Sequence, residues 1–129
     1  MKKMKSCVVI YNPNSGHTLK TKHLKEYKII LEKHGYSARF IGTEYRGNAK
    51  EIISHLDKCD LVIPMGGDGT FNEAVTGNLQ RKDRLVLAHI PVGTTNDVGV
   101  MFGYGKDIKK NLSLLLNGVT KEMDICIIN

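Results

Sequence analysis

The sequence predicts an α/β fold, a three-layer α/β/α domain in which a mostly parallel β-sheet is covered by helices on both faces. Three observations support this prediction. Apolar runs of strand length alternate along the chain with segments whose apolar residues recur at helical spacing. The strand-like runs lack a polar face, as expected of strands that are buried on both sides. Turns that contain glycine follow three of these runs.

The first half of the chain contains two predicted strands, each followed by a predicted helix. Residues 7–11 are apolar and rich in β-branched side chains, and they stop at the turn-forming residues 12–16. Apolar residues then recur at helical spacing up to Gly35, whose missing Cβ suits a helix C-terminal cap. This first helix carries Leu24, Tyr27, Ile30, Leu31 and His34. Residues 36–41 predict the second strand. The second helix has an apolar stripe made of Ala49, Ile52, Ile53 and Leu56.

The second half of the chain repeats the alternation. Residues 60–65 predict a third strand that runs directly into a glycine-rich turn at residues 66–70. A third helix is expected to stop near Gly77 and Asn78, and its apolar residues are Phe71, Ala74, Val75 and Leu79. A fourth strand is predicted over residues 85–90, before Pro91. A late helix is expected between Asp107 and Gly118, with apolar residues Ile108, Leu112, Leu115 and Leu116.

Length and composition indicate one domain and exclude several classes of function. The 129 residues are 41% hydrophobic, enough for one core, and no stretch approaches the roughly 18 apolar residues that cross a bilayer. We therefore expect a cytoplasmic protein. The three cysteines form no C-x-x-C pair, and the five histidines have no metal-binding spacing. A net charge of +6 suits anionic partners, but a chain without tryptophan or a recognisable binding motif is not expected to bind nucleic acid.

Three glycine-bearing turns are expected to meet at one edge of the sheet. They follow the predicted strands that end at Tyr11, Met65 and Ile90. In a parallel sheet with right-handed crossovers, the carboxyl ends of the strands lie at the same edge, and ligands bind there. The sequence therefore predicts a single site built from these turns.

The turn Gly66-Gly67-Asp68-Gly69-Thr70 has the composition of a phosphate-binding turn. Glycines allow positive φ angles and let backbone N–H groups approach a phosphate with no Cβ in the way. The N-terminus of the following helix adds a partial positive charge. A carboxylate at Asp68 would repel a polyphosphate unless a cation lay between them, which predicts Mg²⁺ bound directly or through water. The simpler alternative is a glycine turn in which Asp68 caps the third helix.

Other familiar motifs of phosphate binding and catalysis are absent from the sequence. There is no G-x-x-x-x-G-K-[ST], and no G-x-G-x-x-G follows the first strand, which disfavours Walker-type and Rossmann-type phosphate chemistry. No G-x-S-x-G turn or Cys/His arrangement indicates a nucleophilic enzyme.

Four segments together resemble the catalytic domain of the diacylglycerol kinase family, which includes bacterial lipid kinases and their sphingosine and ceramide kinase relatives. They are N-P-N-S-G at 12–16, Thr43 ahead of Gly47-Asn48-Ala49, G-G-D-G-T-F-N-E-A at 66–74, and P-V-G-T-T-N-D at 91–97. NAD kinases share the G-G-D-G-T element, but the first and last segments favour lipid kinases. The resemblance covers essentially the whole chain and implies a Rossmann-like N-terminal domain of the NAD kinase and diacylglycerol kinase type.

The resemblance implies transfer of the γ-phosphoryl group of ATP to a lipid hydroxyl such as that of diacylglycerol. Asp68 would have the catalytic role, near Mg²⁺ and the phosphates, and Glu73, Asn96 and Asp97 would support the shape of the site. The residues that would bind ATP are Asn12, Pro13, Asn14, Ser15, Gly16, Thr43, Gly66, Gly67, Asp68, Gly69, Thr70, Phe71, Asn72 and Thr94.

The resemblance also implies a β-rich second domain that supplies the general base, further metal ligands and much of the lipid pocket. We expect the nucleotide-binding domain to occupy residues 1–123 and residues 124–129 to begin the second domain. The 129-residue piece alone should then bind nucleotide weakly and be inactive. The intact protein should act on lipid as a peripheral protein at the membrane surface, and the apolar run 125–128 should favour self-association as a homo-oligomer. Two alternatives stay open: an NAD kinase, and a nucleotide-binding module without catalysis.

Overall fold

Strands and helices alternate along the chain in the computed structural model, which describes residues 4–13, 21–91, 112–113 and 115–116. The side chains of Thr21, Lys22, Asp68 and Pro91 are not part of that description. The elements in order are β1 (Lys5–Tyr11), α1 (Thr21–Lys33), β2 (Tyr36–Gly42), α2 (Asn48–His55), β3 (Leu61–Gly66), α3 (Asp68–Leu79) and β4 (Ile90–Pro91).

The four strands form one parallel sheet in the order β2-β1-β3-β4. Tyr11 at the end of β1 is in register with Gly42 at the end of β2 and with Met65 on β3. Gly66 at the end of β3 is paired with Pro91. The carboxyl ends of all four strands therefore lie at one edge, which we call the carboxyl edge.

Helices cover both faces of the sheet and give the predicted three-layer α/β/α architecture. On one face, α1 and the helical residues 112–113 and 115–116 pack on the strands. The buried residues there include Val9, Ile63, Tyr27, Leu31, Leu112 and Leu116. On the other face, α2 and α3 pack on the strands, and the buried residues include Val8, Ile10, Val62, Ala49, Ile53 and Ala74. Because successive strand residues point to opposite faces, β1, β2 and β3 each contribute to both cores.

The end of α1 agrees with the prediction made from Gly35. The helix ends at Lys33, and Gly35 has a φ of 88°, in the left-handed region that favours glycine. The Gly35 carbonyl then accepts a hydrogen bond from the backbone N–H of Lys5, 2.9 Å away, at the start of β1. The turn therefore connects α1 to β2 and is also tied to the central strand.

The prediction that α3 stops near Gly77 and Asn78 is confirmed, since Leu79 is the last residue of the helix. Gly77 is a contact point between helices. A Cβ added to it would lie 2.5 Å from the backbone oxygen of Lys50 on α2. The missing side chain lets α2 and α3 approach closely, and this packing requirement explains a glycine inside a helix.

The prediction of a continuous fourth strand over residues 85–90 is wrong. Regular β4 pairing is confined to Ile90 and Pro91, with an isolated bridge between Val62 and Leu87. Both pairings have the same register, so the strand is interrupted rather than shifted. The N–H of Val62 donates to the carbonyl oxygen of Val86, and the carbonyl oxygen of Val62 accepts from the N–H of Ala88. Every second residue of β3, counted from Val62, is therefore oriented to bond with the segment that leads into β4. Pro64 is the next residue in that series, and it has no N–H to donate.

Arg81 ties the C-terminal end of α2 to the segment after α3. Its guanidinium donates to the carbonyl oxygens of Ile53 at 2.7 Å and Leu56 at 2.5 Å, and it also contacts Asp83. The Arg81 side chain is only 7% exposed. The Ile53 carbonyl in the last turn of α2 also accepts from the N–H of the C-cap residue Leu56, and the arginine adds a second donor to it and a donor to the Leu56 carbonyl.

In the described part of the chain, no helix combines the length and apolarity that a membrane span requires. The predicted cytoplasmic location stays a prediction. Residues 124–129, for which self-association and the start of a second domain were predicted, lie outside the described residues.

Candidate functional site

An open depression of about 360 Å³ lies at the carboxyl edge. Three parts of the chain line it: the residue after β1, the loop between β2 and α2, and the turn between β3 and α3 with the first turns of α3. The lining residues are Asn12, Thr43, Glu44, Tyr45, Arg46, Ala49, Gly67, Gly69, Thr70 and Glu73. Separate segments of the sequence are thus brought together where ligands of parallel sheets bind.

Thr43 is fixed at this edge by a bond across two strands. Its backbone N–H donates to the carbonyl oxygen of Tyr11 at 2.8 Å. The preceding residue, Gly42, is closely packed, because a Cβ there would come within 3.2 Å of Pro13 and Tyr11. The loop after β2 is therefore held against the end of β1, where Asn12 also lines the depression.

Gly67 and Gly69 keep the depression open. A Cβ added to either would meet nothing within 4 Å, so it would project into free space. At Gly66 the situation differs, since a Cβ would lie 2.8 Å from Oγ1 of Thr70. The expectation that these glycines serve positive φ angles is wrong, because in the described residues only Gly35 and Gly47 have positive φ. Gly66 is needed for space inside the turn, whereas the absent side chains of Gly67 and Gly69 leave the depression open.

The N-terminus of α3 presents backbone donors that have no partner within the helix, beside the depression. Gly67 is the N-cap, it makes no side-chain cap bond, and its carbonyl accepts from the N–H of Phe71 at 3.2 Å. The N–H groups of residues 68–70 precede that bond and have no partner within the helix. Such a terminus favours anions through its free N–H groups and its dipole. Gly67, not Asp68, occupies the N-cap position, but the side chain of Asp68 is not part of the description, so the alternative in which it caps α3 stays open.

Glu73 connects the two walls of the depression. Its Oε1 accepts a hydrogen bond from the backbone N–H of Ala49 at 3.2 Å, in the first turn of α2. The N-cap of α2 is Gly47, which has no side chain to cap the helix. Glu73 therefore satisfies a donor at the start of α2 and links α3 to that helix. Asn48 adds a bond on the same side, since its Oδ1 accepts from the N–H of Glu44 at 2.9 Å.

The lining residues Glu44, Tyr45 and Arg46 were not among those predicted from the sequence. Their only signal is their position between Thr43 and Gly47, two residues that were singled out. The Tyr45 hydroxyl donates to the carboxylate of Glu51 on α2, and this bond raises the pKa of Tyr45 above its ordinary value. Arg46 supplies a cation to the lining of the depression.

The other predicted site residues have different placements. Phe71 is buried and stacks on His89, Asn72 is exposed on α3, and neither lines the depression. The side chain of Asp68, to which the catalytic and metal roles were assigned, is outside the description, although its backbone begins α3. The predicted residues that lie entirely outside the described residues are Asn14, Ser15, Gly16, Thr94, Asn96 and Asp97.

Magnesium binding stays a prediction. No group of three or more His, Cys, Asp or Glu side chains that could hold a metal ion occurs within the described ranges, which do not include the Asp68 side chain. Glu44 and Glu73 are the carboxylates that line the depression there.

Comparison with known proteins gives consistent matches. The family model described as the diacylglycerol kinase catalytic domain matches residues 6–128. The chain is 39% identical to the diacylglycerol kinase of Bacillus subtilis (strain 168) over 129 residues, and 38% identical to that of Staphylococcus aureus (strain NCTC 8325 / PS 47) over 120 residues. A crystal structure of a diacylglycerol kinase from Bacillus anthracis str. Sterne aligns with a TM-score of 0.71 and 27% identity.

These matches cover nearly all of this chain but less than half of each relative. The alignments include 98% of this chain and 43% of the Bacillus subtilis protein, and 91% and 38% for the Staphylococcus aureus protein. The Bacillus anthracis structure is matched over 92% of this chain and 44% of its own. The chain therefore spans about two fifths of the length of the curated relatives it matches.

Proposed function

The chain belongs to the diacylglycerol kinase catalytic domain family, and from this membership and the geometry of the carboxyl edge we propose that it is the nucleotide-binding part of an ATP-dependent lipid kinase. The reaction is transfer of the γ-phosphoryl group of ATP to a lipid hydroxyl, such as that of diacylglycerol. The observation that carries the proposal is the open, side-chain-free space at Gly67 and Gly69 beside the N-terminus of α3.

The phosphates of ATP bind at the turn between β3 and α3. The N–H groups of residues 68–70 have no partner within the helix, and the absent Cβ atoms of Gly67 and Gly69 leave room for phosphate oxygens. The partial positive charge at this terminus favours the polyphosphate. Phosphoryl transfer depends mainly on positioning and charge stabilisation, which a fixed set of backbone donors supplies.

The loop of residues 43–46 forms the opposite wall and completes the nucleotide site. The guanidinium of Arg46 offers charge-assisted hydrogen bonds to phosphate, and the hydroxyl of Thr43 can donate or accept. Asn12 adds an amide at the end of β1, where Asn14, Ser15 and Gly16 follow in the sequence. Thr94, which the family resemblance implies as an ATP contact, is proposed to bind the nucleotide together with these residues.

Magnesium enters with ATP, as part of the substrate, and neutralises charge on the phosphates. Asp68 is the residue proposed to bind the ion, directly or through water, because a carboxylate next to a polyphosphate is otherwise repulsive. Its backbone position as the first residue of α3 is compatible with that role. Glu73 supports the site through its bond to Ala49, and Asn96 and Asp97 are proposed to support the loop after β4.

The general base and most of the pocket for the lipid acceptor are supplied by residues beyond this chain. This is in keeping with its match to about two fifths of each curated relative. The intact enzyme then works as a peripheral protein at a membrane surface that holds its lipid. The 129-residue chain alone binds nucleotide and lacks turnover. The proposal thus assigns nucleotide binding to this chain and lipid binding with proton transfer to the rest of the enzyme.

A phosphoryl-transfer assay with the full-length protein tests the proposed function. The substrates are MgATP with diacylglycerol in mixed micelles, and NAD in place of lipid in a parallel reaction. We expect a phosphorylated lipid, and we expect Asp68→Asn to lower kcat at least about 100-fold. Asp57→Asn is the matched control, because Asp57 is exposed in the connection after α2, away from the carboxyl edge.

Four outcomes would contradict parts of the proposal. Phosphorylation of NAD and not of lipid would assign an NAD kinase, and nucleotide binding without transfer to either acceptor would assign a binding module. Full activity of Asp68→Asn would remove Asp68 from the mechanism. Robust lipid phosphorylation by the 129-residue chain alone would show that no further domain is needed.

A further inference from the structure

Two buried polar side chains occur in the core of the described residues, and they lie at opposite ends of α3. Asn78 is 6% exposed and is located near the C-terminal end of the helix. His89 is 7% exposed and contacts the N-terminal end, at the glycine turn. Buried polar groups destabilise a protein unless they are hydrogen-bonded, so each needs a specific structural reason.

Asn78 has a purely structural explanation. Its amide nitrogen donates to the carbonyl oxygen of Leu85 at 3.0 Å, and its amide oxygen accepts from the N–H of the same residue at 2.8 Å. Both bonds fix the segment after α3 against the helix. This end of α3 is far along the helix from the depression, which is lined by residues up to Glu73.

His89 contacts the residues on either side of the glycine turn. Its Nε2 lies 3.3 Å from the carbonyl oxygen of Gly66, the last residue of β3. Its ring stacks on Phe71 in the first turn of α3, with a centroid distance of 4.5 Å and an interplanar angle of 18°. Because a carbonyl oxygen only accepts, Nε2 carries the hydrogen in this bond. One imidazole thus holds the residue before the turn and the residue after it.

The glycine turn has few internal restraints, so support from outside matters. Gly67 and Gly69 have no side chains, and nothing lies within 4 Å of where their Cβ atoms would be. The N-cap of α3 makes no side-chain bond. Glycine also loses more conformational freedom than any other residue when its backbone is fixed. A turn of this kind keeps one conformation only if its two ends are held.

We propose that His89 is a positioning residue that holds the turn of residues 67–70 in the conformation that binds phosphate. It acts through Gly66 and Phe71 and does not touch the ligand. The idea rests on the proposed function, since it names the residue that orders the phosphate-binding turn. Sequence patterns give no sign of it, because a histidine just before β4 is otherwise an ordinary buried side chain.

Hydrogen–deuterium exchange of the nucleotide-free protein tests whether His89 orders the turn. His89→Leu removes both the donor and the stacking ring, whereas His89→Gln keeps an N–H donor close to the position of Nε2. Phe71 is the first residue of α3 whose N–H bonds back along the chain, to Gly67. We expect amides 71–74 to exchange about two- to tenfold faster in His89→Leu, and His89→Gln to restore much of the protection. Asn78→Leu is the matched control, because it should speed exchange around residues 78–85 and leave amides 71–74 unchanged.

Titration with MgATP, under conditions where all variants are folded, tests whether the ordered turn matters for binding. The dissociation constant should rise about two- to tenfold in His89→Leu, recover in His89→Gln, and stay unchanged in Asn78→Leu. Imidazole nitrogen shifts in the nuclear magnetic resonance spectrum should show a hydrogen on Nε2.

Two results would overturn the proposal: unchanged exchange at amides 71–74 in His89→Leu, or faster exchange there with the affinity for MgATP fully retained. If the wild-type protein binds no MgATP at all, the proposed function fails, and the role given to His89 as the support of a phosphate site fails with it. A loss of affinity confined to His89→Leu in a wild type that binds well supports both.

Discussion

Replacing Gly69 with alanine should separate the stability of the fold from nucleotide binding. The added Cβ would meet no protein atom within 4 Å, and the φ of Gly69 is not positive, so alanine is compatible with the backbone. The same methyl group would enter the depression beside the first turn of α3. We therefore expect Gly69→Ala to raise stability and weaken MgATP binding.

The expected changes in stability and Tm follow from the conformation of Gly69 and the length of the chain. A Gly→Ala change at a compatible position stabilises by about 0.4–1 kcal/mol, mainly by restricting the unfolded chain. For 129 residues, an unfolding entropy of about 2.1 cal/mol/K per residue converts this into a rise in Tm of about 1–4 °C. Losing one charge-assisted hydrogen bond to phosphate costs about 1.5–3 kcal/mol, which weakens binding about 10- to 100-fold.

Gly77→Ala is the matched control for Gly69→Ala. Both glycines lie in α3, but a Cβ on Gly77 would lie 2.5 Å from the Lys50 oxygen and would force α2 and α3 apart. Overpacking of this kind costs about 1–3 kcal/mol. Gly77→Ala should thus lower Tm. Thermal unfolding followed by circular dichroism gives the stabilities, and isothermal titration calorimetry with MgATP gives the affinities.

Either of two results would contradict a phosphate site in the open space beside Gly69. A Gly69→Ala variant that binds MgATP as tightly as the wild type would mean that the space beside α3 is not where phosphate binds. A variant that is clearly destabilised would mean that the Cβ meets protein atoms after all.

Two further predictions concern the fold. Arg81→Ala should lower the free energy of unfolding in urea by about 2–3 kcal/mol, because the carbonyls of Ile53 and Leu56 lose a buried charged donor; the same loss in the exposed control Lys82→Ala would contradict this. Burial raises the pKa of the Cys7 thiol above its ordinary value of 9.0, so the unfolded chain loses this proton at lower pH than the folded protein does. The stability that the protonated Cys7 thiol contributes is then fully present below about pH 9 and falls as the pH rises above it. Unfolding of wild type and Cys7→Ala at about pH 8 and pH 10 should show the steeper fall in the wild type, and equal falls would refute the assignment.

The architecture could be predicted from the sequence because its strongest signals are local. Apolar runs without a polar face indicate buried parallel strands, and the helical spacing that ends at Gly35 marks α1. Once the strands are parallel, the turns after Tyr11, Gly42 and Gly66 must share an edge. The placement of Asn12, Thr43 and the glycine turn in one depression follows from that topology.

Some features depend on contacts between segments that no local pattern reports. The sequence places the end of α3 near Gly77 correctly, but it does not show that the close approach of Lys50 on α2 requires a glycine there. Residues 85–90 have the composition of a strand, yet their partner β3 contains Pro64, which interrupts the ladder. In both cases the cause lies in another element, and it becomes visible only when the two elements are packed together.

The candidate site shows the same division between local and long-range information. The glycine turn could be recognised from its sequence. Glu44, Tyr45 and Arg46 could not, because they line the depression only through the position of the β2–α2 loop in the folded chain. The link from Glu73 to Ala49 joins residues 24 positions apart in the sequence. Side chains such as these acquire their roles from the packing of α2 on α3, which spacing along the chain does not encode.

The most direct test of a phosphate site at the carboxyl edge is a titration of the isotope-labelled protein with MgATP, followed through backbone amide chemical shifts. We expect the largest changes at residues 67–70 and 43–46. Ser6 and Asp60, which are bonded to each other where β1 and β3 begin, should not respond. Shifts centred on Ser6 and Asp60, with the amides of residues 67–70 unmoved by saturating nucleotide, would contradict the assignment of the site.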